Sequence, residues 1–274
     1  MKERVSITLD AQLINNLNSM VDGVTIANRS QAIEYLVRKS INNLKVAVIL
    51  CGGNSMKTEN GIFRICAPFF GRTVIEYNIK GLRKSGFGKI YIAGDKLALI
   101  EVFKILGNGE AYGLSVEYIE DDPEPKGSMG TLAHVRKINQ TFLVASGDVI
   151  FGETNIMSVW NAHLLYKGIA TLHVQATTDE VEKMGVVTLE GNLVREFIEK
   201  PPTKKFLTHY SGFFIAEPEI FSQSGSSLER DVFPCLASRS LLYAHPTSEV
   251  IYHFHTKKEL IEIEKIFKKS NSSK

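Results

Sequence analysis

Disulfide chemistry, membrane-spanning segments and a strong charge bias are all missing from this 274-residue sequence. Its three cysteines, Cys51, Cys66 and Cys235, are far apart and form no C-x-x-C pair. That excludes a disulfide-stapled scaffold and a zinc finger, and it fits a reducing compartment. The longest apolar run, Val46 to Cys51, is far shorter than the roughly 18–20 residues a bilayer-spanning helix needs. No membrane partner is expected. The opening MKERVSITL alternates polar with apolar and lacks the continuous apolar stretch of a signal peptide, so the expected location is the cytoplasm. With 32 basic and 30 acidic residues the chain has no global field for nucleic acid, and any case for DNA must come from a motif. What is present is the composition of a packed globular chain: 44% hydrophobic and 23% charged residues, with a mean hydropathy of -0.03.

From Arg4 to Leu9 the residues alternate strictly, Arg4, Ser6 and Thr8 on one face and Val5, Ile7 and Leu9 on the other, the period of a half-buried strand. Asp10 then offers a cap to a helix carrying Leu13, Ile14, Leu17, Met20 and Val21 at helical spacing, stopped by Asp22-Gly23. Ser30 is the expected cap of a second helix, with Ile33, Leu36, Val37 and Ile41 on one stripe and an end near Asn43. One strand and two helices are too little to bury a core, and a lone strand leaves its backbone groups unpaired. The module, residues 1–44, is therefore expected to form a homodimer or a higher homo-oligomer.

Directly after Leu44-Lys45, VAVIL followed by Gly52-Gly53 reads as a buried strand ending in a glycine turn, the start of a second domain over 45–270. The apolar runs KIYIAG, SVEYI and TFLVAS then alternate with helical stretches around 73–85, 96–106 and 129–138, which predicts a parallel sheet with crossover helices. From Ile169 the strands are more closely spaced, and GVVTLEGNLVREFIEKP reads as a hairpin turned at Glu190-Gly191-Asn192, so this half is expected to be mixed or antiparallel. A last amphipathic helix spans about Lys257 to Phe267; the polar KKSNSSK is expected to be a disordered tail, with 271–274 outside the domain.

The ribbon RVSITLD and the helix start NRSQAIEYLV resemble the ribbon-helix-helix family of DNA-binding domains over the whole first module. The resemblance implies a dimer whose paired ribbons enter the major groove of double-stranded DNA, with Arg4, Ser6 and Thr8 reading base edges. It also implies a phosphate held by the backbone at the start of the second helix, near Arg29, Ser30 and Gln31. A plain dimerisation element with solvated strand residues has the same pattern.

Residues 45–270 resemble the nucleotidyltransferase family that makes NDP-sugars, carried by VAVILCGG, APFFGRTVIEY, PKGSMGT, LVASGDV, MGVV, FIEKP, SGFFIAEPEIF and SLERDVFP in that order. The implied fold is a Rossmann-like α/β domain of the sugar-nucleotide type with a mixed central sheet and its ligand at the carboxyl ends of the central strands. The implied chemistry, if the chain is active, has Mg²⁺ on the phosphates while a sugar phosphate oxygen attacks the α-phosphorus. In these terms Gly52 and Gly53 let backbone approach a base or phosphate. Asp148 falls where the family holds its metal, although a strand-end turn or helix cap reads alike. Gly185, Glu199 and Lys200 match the positions facing the sugar phosphate, although a charged hairpin end reads alike. Gly127 and Gly130 lie in the loop beside the nucleobase, or serve structure only.

The departures bear on activity. Gly-Gly is followed by Asn54-Ser55-Met56-Lys57, where the family has a further glycine, a threonine and an arginine; Lys57 keeps the charge without the planar fork. A lysine-proline pair is replaced by Arg64-Ile65, and the family's second metal aspartate aligns with His253 in IYHFHT. Imidazole is a poor Mg²⁺ ligand, although it suits a softer metal, and His253 and His255 share one face of a strand. The candidate metal ligands are Asp148 and His253, and the candidate catalytic set is Lys57, Asp148 and Lys200 with Arg64 on phosphate. The expectation is a DNA-binding transcriptional regulator whose nucleotidyltransferase-like domain binds a nucleotide, sugar nucleotide or related phosphorylated ligand as effector. The alternative is an active sugar-1-phosphate nucleotidyltransferase with a DNA-binding or dimerising N-terminal module.

Overall fold

The computed structural model describes residues 5–51, 57–122, 127–176, 184–202 and 208–272, the side chains of 38–44 and 269–272 excepted. The chain divides into two compact units, Met1–Leu44 and Lys45–Lys274.

The first unit has two helices, α1 (Ala11–Ser19) and α2 (Arg29–Leu44). The Asp10 carboxylate accepts from the Leu13 N–H at 2.9 Å and starts α1. In the turn between them one oxygen of Asp22 accepts from the backbone N–H groups of Val24, Thr25 and Ile26 at 2.8–2.9 Å. Asn28, and not Ser30, caps α2: its side chain accepts from the Gln31 N–H at 3.0 Å, while Ser30 lies in the first turn. Residues 5–10 form no strand, and Val5 and Ile7 are 75% and 55% exposed. The alternation is there, but a strand exists only through ladder bonds to a neighbour, and a single copy of this ribbon has none among the described residues.

The second unit is built on β1 (Lys45–Cys51), β4 (Phe87–Gly94), β5 (Ser115–Glu120), β6 (Phe142–Ser146), β8 (Ala170–Ala176), β9 (Gly185–Glu190), β10 (Leu193–Glu199), β11 (Thr208–Ala216) and β12 (Leu242–Thr247). Two short ladders stand apart: β2 (Pro68–Phe69) with β3 (Arg72–Thr73), and β7 (Val149–Ile150) with β13 (Tyr252–His253). The nine longer strands form one mixed sheet in the order β5-β4-β1-β6-β11-β8-β12-β10-β9. The first four run parallel, and β11 is antiparallel to both β6 and β8. Apolar side chains cover both faces. One face packs on α3 (Val74–Lys84), α4 (Lys96–Leu106) and α6 (Ile156–Tyr166) through Ile79, Leu82, Val102 and Trp160. The other packs on α5 (Gly127–Ala133) and α7 (Phe233–Ser238) through Leu132, Phe233 and Leu236. Both-sided burial explains why the parallel strands read as continuous apolar runs.

Two boundaries differ from the sequence expectation. After Ala133 the bonds tighten to the i→i−3 pattern, as in Val135 N–H to Leu132 and Arg136 N–H to Ala133, so α5 ends well before residue 138. The last helix, α8 (Lys257–Ser272), continues through most of the stretch read as a polar tail.

The chain builds outward from β1 to β4 and β5, then returns to place β6 on the other side of β1. This reversal sets a topological switch point at the carboxyl ends of β1 and β6, the crevice position at which open α/β sheets bind ligands.

Candidate functional site

Asp148 lies at that crevice, two residues past the end of β6. The turn leading to it is tight: the Gly147 N–H donates to Leu50 O at 2.8 Å, and a Cβ on Gly147 would lie 3.0 Å from the same oxygen. One carboxylate oxygen accepts from the Ser146 hydroxyl at 2.6 Å, and the other from Nη1 of Arg64 at 2.7 Å. Arg64 opens the 3-10 turn Arg64–Cys66 and is only 4% exposed. Its Nη1 also lies 3.3 Å from Phe254 O and 2.8 Å from His255 Nδ1, so the ring must accept there. Its Nε–H is buried and has no acceptor among the described residues.

His253 pairs with Val149 across the β7–β13 ladder, which brings it beside Asp148, and its Nε2 donates to Ser211 O at 2.9 Å. Burial holds this imidazole below its ordinary range, against the pull of Asp148. Gly212 makes room for it: φ is +90°, and a Cβ there would meet Val149 Cγ1 at 2.5 Å and His253 Cε1 at 2.8 Å. Only glycine combines this backbone with this approach.

The second charged group is at the open end of the β9–β10 hairpin. Glu199 pairs across it with Gly185, where a Cβ would meet Phe197 Cζ at 2.5 Å and Glu199 Oε2 at 3.1 Å. Burial, then the neighbouring Glu229, push the Glu199 carboxyl above its ordinary value, with Lys200 and Arg230 opposing. The Lys200 ammonium is 3.8 Å from Glu199 Oε1 and half exposed, on a backbone of φ +54°. Tyr210 lies within electrostatic reach of both groups. Its phenol is raised well above its usual range by burial first and then by Glu229, Glu199 and Asp148.

These residues do not make a magnesium site. Among the described residues Asp148 alone brings a carboxylate to the end of β6, where a hard divalent ion wants several oxygens, and both its oxygens already accept hydrogen bonds. The second candidate ligand, His253, offers a neutral nitrogen. An ion held about 2 Å from Asp148 would sit within about 5 Å of the Arg64 guanidinium, a repulsion of about 7 kcal/mol at an effective dielectric of about 20. No group of three or more metal-binding side chains occurs among the described residues.

The other expected residues are more scattered. Lys57 is exposed, its Nζ 4.7 Å above the Phe63 ring. Gly127, at φ +81°, packs under Ser226 O, which a Cβ would meet at 2.5 Å, so packing alone accounts for this glycine. Gly130 lines a recess with Asp122, Ala133, His134 and Arg136 at the end of β5. Gly52 and Gly53 lie outside the described residues, as does Arg4. Ser6 and Thr8 are exposed on the unpaired ribbon; Arg29 is exposed, its Nε donating to Asn18 Oδ1 at 2.6 Å. Sequence reasoning missed Ser146, Tyr210 and Glu229. Ser146 alone had a local signal, standing two residues before Asp148 in a strand-end turn.

Residues 46–234 match the nucleotidyl transferase family. The mannose-1-phosphate guanylyltransferase catalytic subunit beta of Danio rerio is 24% identical over 212 residues, covering 72% of this chain and 58% of that protein, so the chain spans under three-fifths of that relative's length. A putative glucose-1-phosphate thymidylyltransferase from Bacillus anthracis, solved in complex with a sucrose, superposes with a TM-score of 0.72 at 20% identity, over 81% of this chain and 94% of that one. The inositol-1-phosphate CTP transferase from T. maritima superposes with a TM-score of 0.68 at 14% identity, over 82% and 95%. At these identities the two structures show a shared fold: mixed α/β around a mixed central sheet.

Proposed function

Because the chain belongs to the nucleotidyl transferase family, we propose that its second unit, residues 45–270, joins a nucleoside triphosphate to a sugar 1-phosphate. A sugar phosphate oxygen forms a bond to the α-phosphorus, the bond to the β-phosphate oxygen breaks, and pyrophosphate leaves with the pair of electrons. The observation that carries this reading is the Arg64–Asp148 pair at the switch point of the sheet, with Glu199 and Lys200 as a second charged group at the open end of the β9–β10 hairpin. Arg64 and Lys57 serve the triphosphate, and Lys200 the sugar phosphate. Gly52 and Gly53 give backbone approach, and the nucleobase lies by Gly127 and Gly130. Positioning and charge neutralisation are most of what phosphoryl-type transfer asks of a protein.

The relatives' names make GTP with mannose 1-phosphate the first pair to try, followed by the other nucleoside triphosphates and hexose 1-phosphates. Pyrophosphate release lost in Asp148→Asn supports the enzyme. No release with any pair, together with saturable nucleotide binding by calorimetry, moves the chain to the second reading.

That second reading is a regulator whose family domain binds the same ligands as effectors. It is favoured by one observation, an Asp148 already satisfied by arginine and serine with a histidine in the place of its partner carboxylate. Residues 1–44 would then act as a ribbon-helix-helix dimer on double-stranded DNA, with Arg4, Ser6 and Thr8 at base edges and Arg29 and Ser30 at a phosphate. Fluorescence anisotropy on DNA from the gene's own upstream region tests it. Binding lost in Arg4→Ala and shifted by a nucleotide or NDP-sugar supports the regulator; no binding at low salt leaves the module a dimeriser.

A further inference from the structure

The disagreement between this site and a magnesium site has a positive content. We propose that Arg64 is the resident cation of the crevice: its guanidinium neutralises Asp148 where a divalent ion would otherwise sit, and it meets the ligand's phosphate directly. Four observations converge on it. The side chain is almost wholly buried, yet it sits at the ligand end of the sheet and not within the apolar core. Three acceptors fix one of its nitrogens: Asp148 Oδ2 at 2.7 Å, His255 Nδ1 at 2.8 Å and Phe254 O at 3.3 Å. Its Nε–H, on the edge a guanidinium uses to take an oxyanion in the bidentate manner, is left without an acceptor among the described residues. His253, bonded through Nε2 to Ser211 O, adds no negative charge to attract a metal. Arginine suits this post because it stays charged and planar where lysine, a mobile point charge, would not hold the fork.

The identity of the ligand rests on the nucleotidyltransferase reading, whereas the claim about the cation does not, and the experiment separates the two. Mn²⁺ is titrated into the apo chain and the free ion is followed by electron paramagnetic resonance. The wild-type chain is expected to take up no Mn²⁺ at a specific site up to about millimolar concentration. Arg64→Glu, which removes the cation and sets a second carboxylate beside Asp148, is checked for folding by circular dichroism and should gain one site per chain, and Arg64→Glu with Asp148→Asn should lose it. A wild-type site abolished by Asp148→Asn overturns the proposal, as does a folded Arg64→Glu that binds none. With Arg64→Lys as the conservative variant, calorimetry of GDP reads the phosphate contact. Wild-type affinity should differ less than about twofold between EDTA and Mg²⁺, fall at least tenfold in Arg64→Gln, and recover only in part in Arg64→Lys. Wild-type affinity that depends on Mg²⁺ by tenfold or more overturns the direct contact. A chain that binds no nucleotide but behaves as expected toward Mn²⁺ overturns the direct contact and the nucleotidyltransferase reading, and leaves Arg64 as the cation.

Discussion

The two charged ends of the crevice satisfy their carboxylates differently. Asp148 has a buried guanidinium at 2.7 Å and a hydroxyl at 2.6 Å. Glu199 is comparably enclosed, yet its nearest cation is a half-exposed ammonium at 3.8 Å, and its other neighbour is a second carboxylate, Glu229. The Asp148 carboxylate is therefore satisfied without ligand, while the hairpin end keeps an acid that burial and Glu229 press toward its neutral form. A bound sugar phosphate with its counter-charge would change the second end far more than the first.

The largest test of that contrast is to break the completed pair. Arg64→Gln leaves Asp148 largely enclosed without its cation and should lower the unit's stability by about 3 kcal/mol in urea denaturation. Glu199→Gln should lose little or become more stable at neutral pH, since it removes a charge that folding disfavours. Equal losses at both ends would erase the distinction. Next in size, Gly212→Ala forces a side chain into a +90° backbone against Val149 and His253, and should cost about 2 kcal/mol. An unchanged denaturation midpoint would mean that the strand's bend is soft.

Smaller effects are read from pH. Glu199 has a raised folded pKa, so its contribution is fully present below the ordinary glutamate range near 4.5 and is lost as pH rises through the folded value. His253 has a lowered one, so its contribution is present above about 6.5 and is lost as pH falls toward the folded value. Comparing stability from pH 4 to 8 in wild type, Glu199→Gln and His253→Gln should remove two slopes of opposite sign. A His253→Gln curve parallel to wild type would contradict the burial of that ring. Smallest for stability is Lys200→Ala, within about 0.5 kcal/mol as for an exposed side chain. In an active enzyme it should raise the KM for sugar phosphate while leaving that for nucleotide unchanged.

The sequence made some of this readable and some not. The apolar runs around VAVIL and TFLVAS announced β1 and β6, because strands buried on both faces have no polar period to confuse them, and Gly147-Asp148 marked the strand end. The closeness of Arg64 to Asp148 was not readable, since 84 residues separate them and periodicity carries no information about which loops meet. Nor were the roles of Tyr210 and Glu229, each an ordinary residue in its own segment that acquires meaning through tertiary placement. At the other extreme, Asn28 and Ser30 are both good caps two residues apart, and local chemistry alone did not choose between them. The ribbon at 5–9 shows the reverse limit: a legible alternation to which a single chain gives no ladder.

β11 touches both ends of the crevice, yet its pairing with β8 is interrupted between Tyr210 and Phe214, around Gly212. Beyond the break it is hydrogen-bonded to β6, and before it, at His209, to β9. One residue without a side chain thus lets a single strand serve two partners: the part after Gly212 is laddered to the strand that leads to Asp148, and the part before it to the hairpin that carries Glu199.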